Sequence, residues 1–146
     1  MFTAFTSRSA SAYQRINVET SMHTIDQYQL VNLLLEGLLQ AVATARGALT
    51  RGDVRVKCSS IAKAVRILEE GLMTSLDLEA GGEIAANLEA VYDYALRRLI
   101  QANAGNNDAM LQEVARLIET IAHAWKEMKN NNYAANEASQ PVLVEA

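Results

Sequence analysis

Four stretches of apolar residues at helical spacing, separated by three short glycine-bearing breaks, constrain this chain more than any other feature of it. The breaks are TRGD at 50–53, LEAGGE at 78–83 and AGNND at 104–108. Between them apolar side chains recur every three or four residues, the period that gathers them on one face of an α-helix. The first stretch carries Leu30, Leu34, Leu38, Ala41, Ala45 and Ala48, with Leu33, Leu35 and Leu39 widening its face. The second carries Cys58, Ile61, Val65, Leu68 and Leu72, and the last carries Met110, Val114, Leu117, Ile118, Ile121, Trp125 and Met128. Asp26, with Gln29 three residues on, predicts the first N-cap. Gly52 predicts a stop and Asp53 a restart; Gly105 is the expected third stop, with Asn107 or Asp108 capping the fourth helix. Gly37 falls on an apolar face, which predicts close approach of another helix there.

Helices of about 20 residues joined by short turns run antiparallel to their neighbours. The expected fold is therefore all-α, an up-down four-helix bundle in one domain spanning 1–146. Half of the residues are hydrophobic, only 5% are aromatic, and the single proline is Pro141, all of which favour helices over sheets. Residues 1–24 are expected to form a mobile N-terminal arm with room for a short extra helix. Residues 25–129 are expected to form the bundle, and 130–146 a disordered, flexible tail.

A net charge of -4 with scattered basic residues argues against nucleic acid as a partner. The richest apolar run, LVNLLLEGLL at 30–39, is too short for a bilayer and contains Asn32 and Glu36, so no stable membrane insertion is expected. The opening MFTAFTSRSASAYQ has no apolar signal core, and a cytoplasmic protein is expected. Cys58 is the sole cysteine, which excludes an internal disulfide; it is expected to serve as a small apolar residue. Neither a phosphate loop nor a nucleophile elbow occurs. Glu119 and His123 are four apart, whereas di-metal bundles use Glu-x-x-His. No metal, no cofactor and no enzymatic activity are expected. His123 precedes Lys126 by three, as in the H-x-x-K-G pattern of histidine phosphotransfer domains, but Glu127 stands where that pattern has glycine. A solvated surface histidine is the stronger reading.

The third stretch, GGEIAANLEAVYDYALRRLIQAN at 81–103, has an unusually wide apolar side. Ile84, Leu88, Val91, Ala95, Leu99 and Ala102 fall in an arc of roughly 80°, enough for a bundle core. Ala85, Tyr92, Leu96 and Ile100 add a second stripe and widen the total to about 180°. Asp93 and Arg97 are placed to pair beyond that flank. A helix touching two neighbours needs a broad face; a groove receiving a segment of another protein needs one too.

The same stretch strongly resembles the signature segment of the FliS family, flagellar secretion chaperones dedicated to flagellin. The resemblance runs through Gly81, Gly82, Glu83, Asn87, Tyr92, Asp93, Tyr94, Arg97, Arg98, Leu99, Ala102 and Asn103. AYQRINVET, QLVNLLLEGLLQAV, TRGDV, IAKAVRILEEGL and IAHAWKEM extend it over most of the chain. Two places depart from the family pattern: Asp26-Gln27 stands for Ser-Pro, and Leu35-Glu36-Gly37 for aromatic-Asp-Gly. The resemblance implies an antiparallel bundle that binds the disordered C-terminal segment of flagellin in the cytoplasm. It implies that binding blocks premature polymerisation and that the complex is received by the flagellar type III export gate. It also implies an N-terminal arm, with a tyrosine matching Tyr13, that lies over the bundle and yields to the client. Helical phase then nominates Tyr92, Leu96 and Ile100 as the client groove, with Leu34 and Leu38 nearby and Tyr13 and Ile16 covering it. The alternative is a self-associating structural or regulatory module, a homodimer that buries the wide face against itself.

Overall fold

A computed structural model describes the backbone of residues 26–139 and the side chains of residues 26–130. The described elements are α1 (Gln27–Arg51), α2 (Val54–Arg66), α3 (Gly82–Gly105) and α4 (Asp108–Ser139); a π-helical segment, Ile67–Leu72, prolongs α2. The expected all-α bundle is the architecture observed.

Local chemistry sets most of the helix ends. The Asp26 carboxylate accepts from the Gln29 amide at 2.7 Å, capping α1. Gly52 ends α1 in the left-handed region, φ 72, where its amide bonds back to Ala48 and Leu49. Asp53 then accepts from the Val56 amide at 3.2 Å and opens α2. At the third break Gly105 is the last helical residue, and Asn106 takes the left-handed position at φ 50. Asparagine tolerates that region better than most residues. Asn107 caps α4 by accepting from the Met110 amide.

Side-chain links fix the direction of every neighbouring pair. Tyr28 near the start of α1 meets Trp125 just past the middle of α4, and Arg46 late in α1 meets Asp108 at the start of α4. Lys57 at the start of α2 meets Asn103 at the end of α3. Arg98 of α3 meets Glu113 of α4 across their shared turn. A Cβ on Gly71, late in the second helical arm, would lie 2.9 Å from Leu34 early in α1. All four neighbouring pairs are thus antiparallel. Contacts run around a ring, α1 to α2 to α3 to α4 and back to α1, which places α1 and α3 across the core from each other.

The core joins Val31, Leu35, Leu38 and Val42 of α1 to Ile61, Leu68 and Leu72 of the second arm, Tyr92 and Leu99 of α3, and Leu111, Val114 and Ile118 of α4. Each fully buried leucine or isoleucine contributes about 1.5–3 kcal/mol relative to exposure. The π segment includes Gly71, which packs against Leu34 of α1. Met73 donates to the Leu68 carbonyl five residues back at 2.8 Å. A Cβ at position 71 would press on the Leu34 methyls, which would have to shift to admit it. The close approach expected at Gly37 is an ordinary contact, with Ile67 3.6 Å from where a Cβ would stand.

Two expectations are corrected. Cys58 is exposed, and its thiol lies 3.6 Å from the Asn103 side-chain oxygen rather than in the apolar interior. The buried position beside it belongs to Lys57. The tail expected from residue 130 is helical to Ser139, because residues 130–139 contain no glycine or proline and the first breaker is Pro141. The N-terminal arm, with Tyr13 and Ile16, lies outside the described residues, as do residues 140–146. Among the described residues no helix is long and apolar enough to cross a membrane, and no cluster of metal-ligating side chains occurs.

Candidate functional site

Helix α3 has two edges, and its polar residues identify each. On the α4 side, Tyr94 donates to Glu113 Oε2 at 2.8 Å and Arg98 Nε donates to Glu113 Oε1 at 2.6 Å. The Arg98 guanidinium also lies 5.8 Å from the Tyr94 ring centroid. These bonds raise the Tyr94 phenol above its ordinary range and lower the Glu113 carboxyl. On the α2 side, Lys57 and Cys58 contact Asn103. Ile100 lies one turn before Asn103 and Leu96 one turn further back, so both belong to the flank that borders α2. Ile100 is 55% exposed and Leu96 half-buried. Asp93 and Arg97 form the ion pair expected beyond that flank.

The structure separates the five residues nominated from helical phase. Leu38 and Tyr92 are 0% and 2% exposed, and Leu34 is buried at 9%. They form core, and α1 and α3 lie across that core from each other. Leu96 and Ile100 alone of that set reach the surface. The reason is a rotation of the buried arc. Tyr92 and Ala85, from the second stripe, join Ala95, Leu99 and Ala102 inside, while Ile84, from the first, is 70% exposed in the opening turn of α3.

Burial pushes the Tyr92 phenol up to about 12. Its ionised form is disfavoured in the folded state, so the associated stability is intact below the free phenol value of about 10. It is lost as pH rises from there through about 12. Chemical denaturation across that window is expected to show a loss of up to ~3 kcal/mol in the native chain. A Tyr92→Phe chain lacks this component; an equal loss in both chains assigns the alkaline transition to other groups.

A second surface feature went unread in the sequence. Tyr28 and Trp125 clasp reciprocally where α1 begins. Tyr28 OH donates to the Trp125 carbonyl at 2.6 Å, Trp125 Nε1 donates to the Tyr28 carbonyl at 3.0 Å, and the ring centroids are 4.6 Å apart. They line a cleft of about 550 Å³ between α1 and α4 together with Asn32, Leu33, Lys126 and Lys129. The topology alone held the signal: antiparallel first and fourth helices bring residues near 28 and 125 to one end.

His123 is 75% exposed, with Nε2 3.1 Å from Glu127 Oε1. A carboxylate on that nitrogen disfavours an incoming phosphoryl group by like-charge repulsion.

Fold and surface together define a class: an antiparallel helical bundle with apolar residues exposed on a flank of α3. The family model for the flagellar protein FliS matches residues 9–132. The flagellar secretion chaperone FliS of Salmonella typhimurium is 40% identical over 124 residues, 85% of this chain and 92% of that protein. Its Escherichia coli counterpart is 39% identical over 84% of this chain and 90% of its own length. That of Bacillus subtilis is 32% identical over 80% and 83%. The chain belongs to the FliS family.

Proposed function

We propose that this chain is a cytoplasmic export chaperone for flagellin, acting by binding alone and without chemistry. In this reading it captures the disordered C-terminal segment of flagellin, prevents premature polymerisation and presents the complex to the flagellar type III export gate. The observation that carries the site is the apolar flank of Leu96 and Ile100, beside α2 and on the helix that bears the family's signature residues. Relatives named flagellar secretion chaperones, aligned over most of their length, support the role. Tyr92, buried on the same helix, then serves as the rigid support of that flank, and Leu34 and Leu38 act through the core they share with it. Tyr13 and Ile16 are the proposed cover that yields to the client.

A client that orders on binding loses conformational entropy, so a long wrapped interface is expected. The test is titration calorimetry against a peptide of the last ~40 residues of flagellin from the same cell, a length suited to coupled folding and binding. One-to-one binding with a negative heat-capacity change is the expected result. No heat at micromolar peptide, with the protein shown folded, ends the assignment. A concentration-dependent mass in that case would favour the homodimer.

A further inference from the structure

We propose that the side-chain amide of Asn103 sets the register of a client on the α3 flank, by donating to a carbonyl oxygen of the docked segment. The inference rests on the reading of the Leu96 and Ile100 flank as the client surface. Leu96, Ile100 and Asn103 follow one another at spacings of four and three residues, so they share one stripe of α3 about 10 Å long. Apolar burial is non-directional: Leu96 and Ile100 favour a partner without fixing its position along the helix. A hydrogen bond is directional, and Asn103 ends the stripe.

Two contacts from α2 hold this asparagine. Lys57 Nζ donates to its main-chain carbonyl at 3.0 Å, and the Cys58 thiol donates to its Oδ1 at 3.6 Å. A cation on that side favours the amide oxygen facing α2 and the amide nitrogen facing away. Nδ2 has no hydrogen-bond partner among the described residues, and it is not among their buried unpaired atoms, so it reaches the surface. When a client covers the flank, these donors leave water, and a covered donor without an acceptor weakens binding. A segment that brings a carbonyl oxygen to that point satisfies them; the same segment shifted along α3 does not. At the other end of the stripe Asp93 and Arg97 satisfy each other. Cys58 is then a positioning residue that orients the Asn103 amide.

Calorimetry of the full chain with the flagellin peptide gives the first readout. Asn103→Asp is isosteric, keeps an oxygen for the Cys58 thiol and leaves Lys57 its main-chain acceptor. It turns an acceptor toward the client carbonyl and is expected to weaken binding at least ~10-fold. Asn103→Ala is expected to weaken it roughly 3–10-fold. Cys58→Ala is expected to have a smaller effect, and none in the Asn103→Ala background. Thermal melts of each chain are expected to stay close to native. The second readout needs no variant fold: in the native chain the side-chain N–H resonances of Asn103 are expected to shift and to exchange more slowly once peptide is bound. An asparagine that only supports the fold would show neither. Suppose Ile100→Glu loses the peptide while both Asn103 variants bind within about twofold of native, or the amide resonances ignore the bound peptide. Either result overturns the proposal and leaves the flank in place. No binding by the native chain, or binding that Ile100→Glu does not weaken, overturns the flank reading and this inference with it.

Discussion

Ile100→Glu and Tyr92→Ala are expected to fail in opposite ways. Ile100 is 55% exposed, so a charge there stays in water and alters folding stability by no more than about 0.5 kcal/mol. The same charge in a covered apolar flank must be desolvated when a client segment docks. A loss of at least ~2 kcal/mol in binding, roughly 30-fold in affinity, is expected. Tyr92 sits 2% exposed in the core. Its truncation removes a buried aromatic ring and is expected to cost about 3–5 kcal/mol. That lowers the melting temperature by roughly 10–20 °C for a domain of this size. Thermal melts and calorimetry with the flagellin peptide, run on both chains, separate the roles. If Ile100→Glu binds as the native chain does, while Leu33→Glu in the other cleft abolishes binding, the client surface is the α1–α4 cleft instead of the α3 flank.

This contrast marks where the sequence is legible. Helix ends depend on chemistry within three or four residues, and Asp26, Gly52, Asp53 and Asn107 all act as their side chains and backbones predict. Helix existence and topology follow from long apolar periodicities and short breaks. The buried arc of α3 does not follow, because its centre depends on which helices flank it. A 180° apolar span contains several arcs wide enough for a core, and only the positions of α2 and α4 select the one through Tyr92, Ala95 and Leu99. Ile84 has core character by type, yet it lies in the first turn of α3 and stays exposed. The end of α4, at Ser139, lies beyond the expected boundary for a different reason. Asparagine-rich composition argues for loop, but no residue before Pro141 forbids the helix. Lys57 shows the limit of reasoning from residue type. It stands four before Ile61, on the buried stripe of α2, where a hydrophobic scale expects its neighbour Cys58.

Lys57 also carries the second large expected effect. Its amine is buried, with the residue 5% exposed. It donates to the Asn103 carbonyl at 3.0 Å and to Asn106 Oδ1 at 2.5 Å. Both acceptors belong to the C-terminal end of α3, where carbonyls lack helical partners and the helix dipole is negative. The lysine therefore ties α2 to the turn that reverses the chain into α4. Lys57→Met keeps the apolar stem and removes the donor, leaving two acceptors unsatisfied, and is expected to cost about 1–3 kcal/mol. Lys57→Glu places an anion against those carbonyls and is expected to cost about 3–5 kcal/mol. Asn106→Gly retains the left-handed backbone at φ 50 and removes only the side-chain acceptor. A double-mutant cycle between Lys57→Met and Asn106→Gly then isolates their direct coupling, expected at about 0.5–3 kcal/mol. The damage should be local. The Asn106 and Asn107 amides both bond back to the Ala102 carbonyl, so their hydrogen exchange should accelerate in Lys57→Met more than that of core amides in α1. Exchange at that turn unchanged, with stability within ~0.5 kcal/mol of native, would mean the buried amine is merely tolerated. The α3–α4 turn would then be held by its own backbone and the Asn107 cap.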